Sequence, residues 1–152
     1  LPEAGEGYPG YKKRFSDSLL DQFPLLQTLF GQVIIPTAVH AEFLAIEHTA
    51  RQPALAAAPW IKTTKISDPR LALVYLGLDR GESEVLALAL ERSARLVIMD
   101  ERKGRRYAQR LALPLTGTLG LLLLAKEKQL ITAVSPLIDQ LQASNLFWVF
   151  GI

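Results

Sequence analysis

Apolar residues recur along this chain in two patterns, a helical spacing of about 3.6 residues and short unbroken runs. The helical spacing predicts one helix in SDSLLDQFPLLQTLF, which Gly31 ends, and another in TAVHAEFLAIE, which Pro36 opens. In TAVHAEFLAIE it places Val39, Phe43 and Ile46 on one face. Further helices are predicted at GESEVLALALERS, ERKGRRYAQRLAL and TLGLLLLAKEKQ, and around Val134–Leu141.

Strand patterns alternate with these helices. VIIP is a short apolar run, ARLVIMD contains a continuous apolar run, WIKTTKI alternates apolar and polar residues, and PLTGT is a short strand and turn. The closing NLFWVFGI is read as a terminal strand or a docked tail. This alternation predicts an α/β domain with a parallel sheet.

Two smaller elements and a leader complete the predicted organisation. An Ala-rich element covers Pro53–Pro59, and Asp68 caps a helix whose apolar residues face inward: Leu71, Val74, Tyr75 and Leu78. Residues 1–15 are rich in Gly and Pro and predict an irregular leader. Residues 16–152 are then predicted to form a single domain, as expected for this length.

Composition excludes several classes of site. The chain has no cysteine, which excludes a disulfide framework, a thiolate metal site and a Cys nucleophile. Its two histidines, His40 and His48, argue against a histidine-rich zinc site. The unbroken apolar run Leu121–Ala125 is far shorter than the ~20 residues that span a bilayer. We therefore expect a cytoplasmic protein with no membrane partner, and its net charge of +2 permits a nucleic-acid partner.

Acidic residues stand at the edges of separate predicted elements. Asp100 ends the LVIM run, Glu82 and Glu84 begin a helix, and Glu42 lies within another helix. Each also has a structural interpretation: Asp100 as the cap of the next helix, the two glutamates as partners of the helix dipole, and Glu42 as part of a solvated face. Glu82 and Glu84 point about 200° apart on an ideal helix, so we expect one of them to face a site.

Together these carboxylates predict a cation site, because ligands bind at the carboxyl ends of parallel strands and clustered carboxylates need neutralisation. A bound Mg²⁺ could activate water for attack on a phosphodiester. Basic residues follow Asp100 at once and suit contact with phosphate, although a solvated helix face is the simpler explanation: Arg102, Lys103, Arg105, Arg106 and Arg110.

The segments PTAVHAEF, LDRGESEVLALALE, LVIMDERKGRRYAQRLALPLTGTLGLLLLAKEKQLI and PLIDQLQ, in this order, resemble the PIN-domain proteins. They resemble in particular the subgroup related to toxin nucleases of toxin–antitoxin modules, over about Leu29–Trp148. The resemblance implies a three-layer α/β/α fold with a central, mainly parallel sheet. It also implies cleavage of single-stranded RNA with Mg²⁺ or Mn²⁺, and a cognate antitoxin as a partner.

The resemblance also assigns site residues by position. It implies Glu42, Glu82 and Asp100 as catalytic, metal-binding acids, with Glu84 as second choice to Glu82. Thr116 and Thr118 flank the glycine of the GT turn near that site. We expect these threonines to contact RNA together with four cations: Arg102, Lys103, Arg105 and Arg106.

The start of the chain departs from the family pattern, which opens with an apolar strand ending in Asp and then Ser or Thr. Here YPGYKKRF precedes Ser16-Asp17-Ser18, so Asp17 is a weak substitute for that first metal ligand. We expect a sheet without its usual central strand, one carboxylate fewer in the site, and low or no activity.

Three functions remain open at this point. A metal-dependent ribonuclease leads, and the second is a non-catalytic PIN-like protein that binds RNA or a partner through the basic helix and Leu119–Leu124. A homodimer through the apolar TLGLLLLAKEKQ helix is also expected. A Rossmann-like small-ligand domain is disfavoured, because GTLG lacks the GxGxxG spacing.

Overall fold

The computed structural model describes residues 23–46, 48–135 and 147–150. Six α-helices, five strands and one 3₁₀ helix alternate in these ranges. The helices are α1 Phe23–Phe30, α2 Thr37–Ile46, α3 His48–Ala56, α4 Arg80–Glu91, α5 Arg102–Arg110 and α6 Thr118–Glu127, with the 3₁₀ helix at Pro69–Leu73. The strands are β1 Val33–Pro36, β2 Ile61–Thr64, β3 Leu96–Met99, β4 Leu115–Thr116 and β5 Phe147–Phe150.

The five strands form one sheet in the order β2-β1-β5-β3-β4. β1 and β2 are parallel, and so are β3 and β4. β5 is antiparallel to both β1 and β3, so the other four strands all point the same way. The α/β class and the mainly parallel sheet predicted from the sequence are therefore confirmed.

The central position of the sheet belongs to the last strand of the chain. NLFWVFGI does contain a strand, but its place between β1 and β3 was not predicted. Met99, at the carboxyl end of β3, pairs with Phe147, the first residue of β5. The edge at which the four parallel strands end is therefore the edge at which β5 begins.

Helix α4 forms the centre of the hydrophobic core. Every residue from Gly81 to Ala89 is buried, and the helix packs against β1, β3 and β5. β3 is equally enclosed, because Val97, Ile98 and Met99 have no exposed surface. The continuous apolar run that predicted a strand buried on both faces is confirmed.

Most predicted element boundaries agree with the structure. Gly31 ends α1 with a φ of 72°, a conformation that favours glycine. Pro36 is the last residue of β1, and α2 begins one residue later. The Ala-rich element proves to be the end of α3, with Pro53 inside the helix. The predicted leader, Asp17 and the helix around Val134–Leu141 lie wholly or largely outside the described residues.

The segment after Asp68 differs from the prediction. Asp68 is an N-cap as expected, but it caps a 3₁₀ helix that ends at Leu73. Leu71 is exposed and Val74 is 60% exposed, whereas Tyr75 and Leu78 are half-buried. The predicted inward face was wrong for Leu71 and Val74, because the helix is a short 3₁₀ helix that ends at Leu73 and no α-helical repeat continues through residues 74–78.

In the parts of the chain that the structure describes, no helix is long and apolar enough to cross a membrane.

Candidate active site

The first turn of α4 is fixed by a reciprocal pair of hydrogen bonds. The Glu82 N–H donates to Asp79 Oδ1 at 2.8 Å, and the Asp79 N–H donates to Glu82 Oε2 at 3.1 Å. This capping box satisfies two N–H groups that a helix start would otherwise leave unpaired. Glu82 is buried as a result, with its carboxylate held beside that of Asp79.

Glu42 reaches the same turn from α2. The nearby backbone N–H of Gly81 acts to lower the pKa of its carboxyl group. A Cβ at Gly81 would lie 2.8 Å from each carboxylate oxygen of Glu42, so a side chain there would displace the carboxylate. The glycine of the DRGE sequence thus permits the close approach of α2 to α4.

The carboxylates around this turn repel one another. Burial raises the pKa of Glu82 above its usual value, and the negative charges of Asp79, Glu101 and Glu42 raise it further. Burial and then the charge of Asp79 raise the pKa of Glu42 as well. We call these four residues the acidic cluster: Glu42, Asp79, Glu82 and Glu101.

Glu84 has a different role from Glu82. It is buried, its Oε2 pairs with Arg80 Nε at 2.9 Å, and its Oε1 accepts from Thr37 Oγ1 at 3.2 Å and Ala38 N at 3.4 Å. These bonds tie the start of α2 to α4. The expectation that only one of Glu82 and Glu84 faces the site stays a prediction, although the two carboxylates do have different partners, Asp79 for Glu82 and Thr37 and Arg80 for Glu84.

Asp100 lies at the carboxyl end of β3 and is exposed, as predicted. It does not cap the helix that follows, because Glu101 does so by accepting from Gly104 N at 2.7 Å. Asp100 instead accepts from the backbone N–H of Thr118 at 2.8 Å and from the Thr118 hydroxyl. Asp100 therefore caps the start of α6. It reaches this helix because β4 is parallel to β3, so the turn that follows β4 lies beside Asp100.

The turn before α6 leaves room for Asp100 and Arg105. A Cβ at Gly117 would lie 2.7 Å from Asp100 Oδ1 and 2.9 Å from Arg105 Nη1. Arg105 is half-buried and donates to the Met99 carbonyl at 2.8 Å. Arg105 is thus partly engaged in holding the end of β3, and Thr118 in holding Asp100.

The remaining predicted RNA-binding cations of α5 are exposed to solvent: Arg102, Lys103 and Arg106. Tyr107 anchors this helix by donating from its hydroxyl to the Leu76 carbonyl at 3.0 Å, and its ring packs edge-on against Tyr75. Thr116 is half-buried, and its hydroxyl makes a long 3.5 Å contact with the Gly117 carbonyl. The basic helix therefore stands directly beside the end of β3.

The structure brings Glu42 and Glu82 together, and it adds two acids that sequence reasoning missed. Asp79 is the N-cap of α4, and the sequence signal for it was D-x-x-E at the start of that helix. Glu101 is the N-cap of α5, and its signal was an acid three residues before Gly104. Glu101 directly follows Asp100 and repels Glu82. Asp100 and the acidic cluster therefore lie in the same region of the fold.

The donor set suits a hard divalent cation in its chemistry, since it consists of carboxylate oxygens alone. The mutual repulsion within the acidic cluster is a charge imbalance that such a cation would relieve. Within residues 23–46, 48–135 and 147–150, however, no three acidic or histidine side chains converge closely enough to hold an ion. One oxygen of Glu82 is also engaged by the Asp79 N–H. Binding a cation would require these side chains to rearrange.

Glu42→Gln is expected to raise the thermal midpoint of unfolding at pH 7 in EDTA by a few degrees. Because the pKa of Glu42 is raised in the folded state, the folded protein binds the proton more tightly than the unfolded chain. Stability is therefore lost as the pH rises from the usual carboxyl value through the raised one. The difference in thermal midpoint between Glu42→Gln and the wild type should shrink towards zero near pH 4. Thermal melts of both proteins from pH 4 to pH 7 measure it.

Glu91→Gln, at the other end of α4, is a control for which the opposite change in thermal midpoint is expected. The hydroxyl of Ser67 and then its backbone N–H lower the pKa of Glu91, so its ionised form stabilises the fold and this contribution is lost as the pH falls. The variant should melt below the wild type at pH 7. A Glu42→Gln protein that also melts lower at pH 7 would contradict the proposed repulsion.

The sequence also matches a known protein family. A family model described as PIN domain matches residues 18–150. No curated protein and no solved structure matches the chain. The match confirms the resemblance to the PIN-domain proteins, and it covers the acidic cluster, Asp100 and the basic helix.

Proposed function

This chain belongs to the PIN-domain family, and from that premise we propose that it is a metal-dependent endoribonuclease acting on single-stranded RNA. A PIN domain indicates a nuclease-like fold in general terms. The observation that supports the finer proposal is the crowding of the Glu82 carboxylate by the negative charges of Asp79, Glu101 and Glu42 at the start of α4. Holding these acids together destabilises the fold, and a bound cation would offset this cost by neutralising their charge.

PIN domains generally use divalent metals, and Mg²⁺ or Mn²⁺ is the proposed ion here. Glu42, Glu82 and Asp100 would hold it. Glu84 remains the second choice, because Thr37, Ala38 and Arg80 already occupy its carboxylate. When bound, such a cation orients and activates water for attack on a phosphodiester.

The chain's own groups prepare this site. The N–H and hydroxyl of Thr118 hold the Asp100 carboxylate at the end of β3. The absence of a side chain at Gly81 allows the Glu42 carboxylate to lie against the start of α4. Thr118 and Gly81 are thus positioning residues, and the acids they orient are the proposed catalytic ones.

The basic helix α5 supplies the proposed contact with RNA. Its three exposed cations can bind phosphates beside Asp100, and Arg105, Thr116 and Thr118 would border the same strand of RNA. Contacts with phosphate carry no sequence information, so this surface would give affinity without base preference.

Replacing Arg102, Lys103 and Arg106 together with Gln is expected to weaken RNA binding for all sequences. Each cation that binds a phosphate of a single strand contributes roughly 0.7 to the slope of log affinity against log salt, so the slope should flatten by roughly 2. Fluorescence anisotropy with a labelled RNA at several salt concentrations measures this slope.

Three exposed cations elsewhere provide the matched control: Arg92, Lys126 and Lys128, which lie just beyond the end of α4 and around the end of α6. Their replacement by Gln removes the same charge but should leave most of the slope intact. An equal decrease of the slope in both triple variants would show that net charge, not the basic helix, governs binding.

The activity is expected to be low. At the edge where the site lies, the central strand contributes Phe147, and the acid Asp17 lies outside the described residues. Three carboxylates are enough for one ion with water completing its shell, but a second ion of the two-metal type would lack ligands.

The second candidate is a catalytically degenerate PIN-like protein that binds nucleic acid or a partner. It is supported by the exposed side chains of Leu119 and Leu123 on α6, which is apolar nearly all round. A second copy of the chain or a cognate antitoxin would cover these residues under this proposal.

Cleavage of a labelled single-stranded RNA tests the leading proposal. We expect slow cleavage in Mn²⁺ or Mg²⁺, none in EDTA, and little on duplex RNA. A folded protein that cleaves nothing and binds no Mn²⁺ at millimolar concentration would overturn this proposal in favour of the second.

A further inference from the structure

A cavity of about 440 Å³ lies between the 3₁₀ segment and the start of α4. Its volume falls in the range of about 300–1,000 Å³ that is typical of sites for small ligands. Asp79 forms part of its lining, so it borders the acidic cluster. None of the roles proposed so far uses this space.

The apolar lining residues of the cavity belong to the segment around the 3₁₀ helix, here called its apolar side, and three polar ones belong to the starts of α2 and α4, here called its polar side. The apolar side consists of Ile66, Pro69, Ala72, Leu73 and Leu78. The polar side includes Thr37, Ser83 and Glu84, of which Ser83 and Glu84 are each 2% exposed. A planar ring with polar edges, such as a nucleobase, fits this division because its faces are apolar and its edge forms hydrogen bonds.

Glu84 has room for one further donor. Its carboxylate accepts from three groups, Thr37 Oγ1, Ala38 N and Arg80 Nε. An ionised carboxylate offers about four acceptor positions, so about one remains. An exocyclic amino group, as in adenine or cytosine, is a donor that could fill it, whereas uracil carries no such group.

Cations border the cavity and suit a phosphate. Lys65, Arg70 and Arg80 line it, against the two acids Asp79 and Glu84. Arg80 is bound to Glu84 but its side chain is 80% exposed, and Arg70 is paired with Asp68. Lys65 is exposed and makes no ion pair within the described part of the chain. It is therefore the cation best able to take a new anionic partner.

We propose that this cavity binds one unpaired nucleotide of the RNA, with a preference for adenine or cytosine over uracil. The base lies against the apolar side with its amino group on Glu84, and the phosphate lies near Lys65. This inference rests on the proposed ribonuclease function and adds a base preference that the phosphate contacts of α5 cannot provide. Because Asp79 belongs to both the cavity and the acidic cluster, the bound nucleotide is a neighbour of the cleavage site.

The test is a titration of the full chain with AMP, CMP and UMP in EDTA, followed by NMR. AMP or CMP should bind about tenfold more tightly than UMP, the ratio expected for one hydrogen bond to a charged group. Ala72→Phe fills the cavity and should weaken binding roughly tenfold or more. Val74→Phe adds the same ring to the same segment outside the cavity and should leave binding unchanged.

Lys65→Gln provides a second variant at an exposed position where folding is not at risk, with Lys62→Gln on β2 as its control. Loss of affinity in Lys65→Gln alone supports the site. Nucleotides that fail to bind the wild type, or that bind all four variants equally, overturn it.

Failure of this proposal is distinguishable from failure of the proposed function. Cavity-dependent nucleotide binding by a protein that cleaves no RNA would support the nucleotide site and overturn the ribonuclease. RNA cleavage with the same base preference in the wild type and Ala72→Phe would overturn the nucleotide site and leave the ribonuclease standing.

Discussion

Asp100→Asn is expected to reduce metal-dependent RNA cleavage by more than about 100-fold while the protein keeps its thermal midpoint to within a few degrees. Loss of a hydrogen bond that merely supports a metal ligand typically costs about 10–100-fold, so loss of a ligand should cost more. The fold should survive because the Asn side-chain oxygen can still accept from the Thr118 N–H. The comparison needs initial cleavage rates and thermal melts of both proteins.

Two further variants separate the role of Asp100 from that of its surroundings. Thr118→Val removes the hydroxyl that donates to Asp100 but keeps the backbone N–H, so Mn²⁺ affinity should fall about 10–100-fold, and Thr118→Ser should restore it. Asp68→Asn removes an acid paired with Arg70 at the 3₁₀ helix and should leave cleavage unchanged. Full activity in Asp100→Asn would confine the metal site to the acidic cluster.

Leu88→Ala is expected to destabilise the fold by about 2–5 kcal/mol. Leu88 has no exposed surface and lies in the helix that packs against β1, β3 and β5. Removing its side-chain atoms forfeits their burial and leaves a cavity that a packed core cannot fully close. At about 2–4 °C per kcal/mol for a domain of this size, the thermal midpoint should fall by roughly 5–20 °C.

Leu90→Ala is the matched control, because Leu90 belongs to the same helix and is 44% exposed. It should lower the midpoint much less, since little buried surface is removed. The comparison matters for function because α4 carries both Glu82 and Glu84. If Leu88→Ala and Leu90→Ala were equally mild, α4 would not be the central support of the site.

Local structure was largely predictable from the sequence. The apolar runs located the strands, the helical spacing located α4 and α5, and Gly31 located the end of α1. These signals act over a few residues, because helical hydrogen bonds join residues four apart and the strand period is two. The prediction failed where the local conformation itself changed, as in the 3₁₀ helix after Asp68.

The partners of the acids were not predictable in the same way. Glu42 was assigned by resemblance, but its contact with Gly81 depends on how closely α2 approaches α4. The structural alternative for Asp100 was a cap of the next helix, yet a neighbouring turn supplies Thr118 as its partner and Glu101 takes the capping role. Helical spacing places Glu82 and Glu84 in different directions, but it could not show that both would be buried or that Thr37 and Arg80 would bind Glu84.

The sequence by itself determined the α/β class, the family and the acids that stand at the starts and ends of elements. Only the tertiary structure decided which acids repel each other, which turn holds Asp100 and which strand occupies the centre of the sheet. The central strand is the clearest case, because Met99 pairs with Phe147 from the far end of the chain. Such pairings depend on the burial and hydrogen bonding of residues far apart in sequence, and no local pattern of apolar residues specifies them.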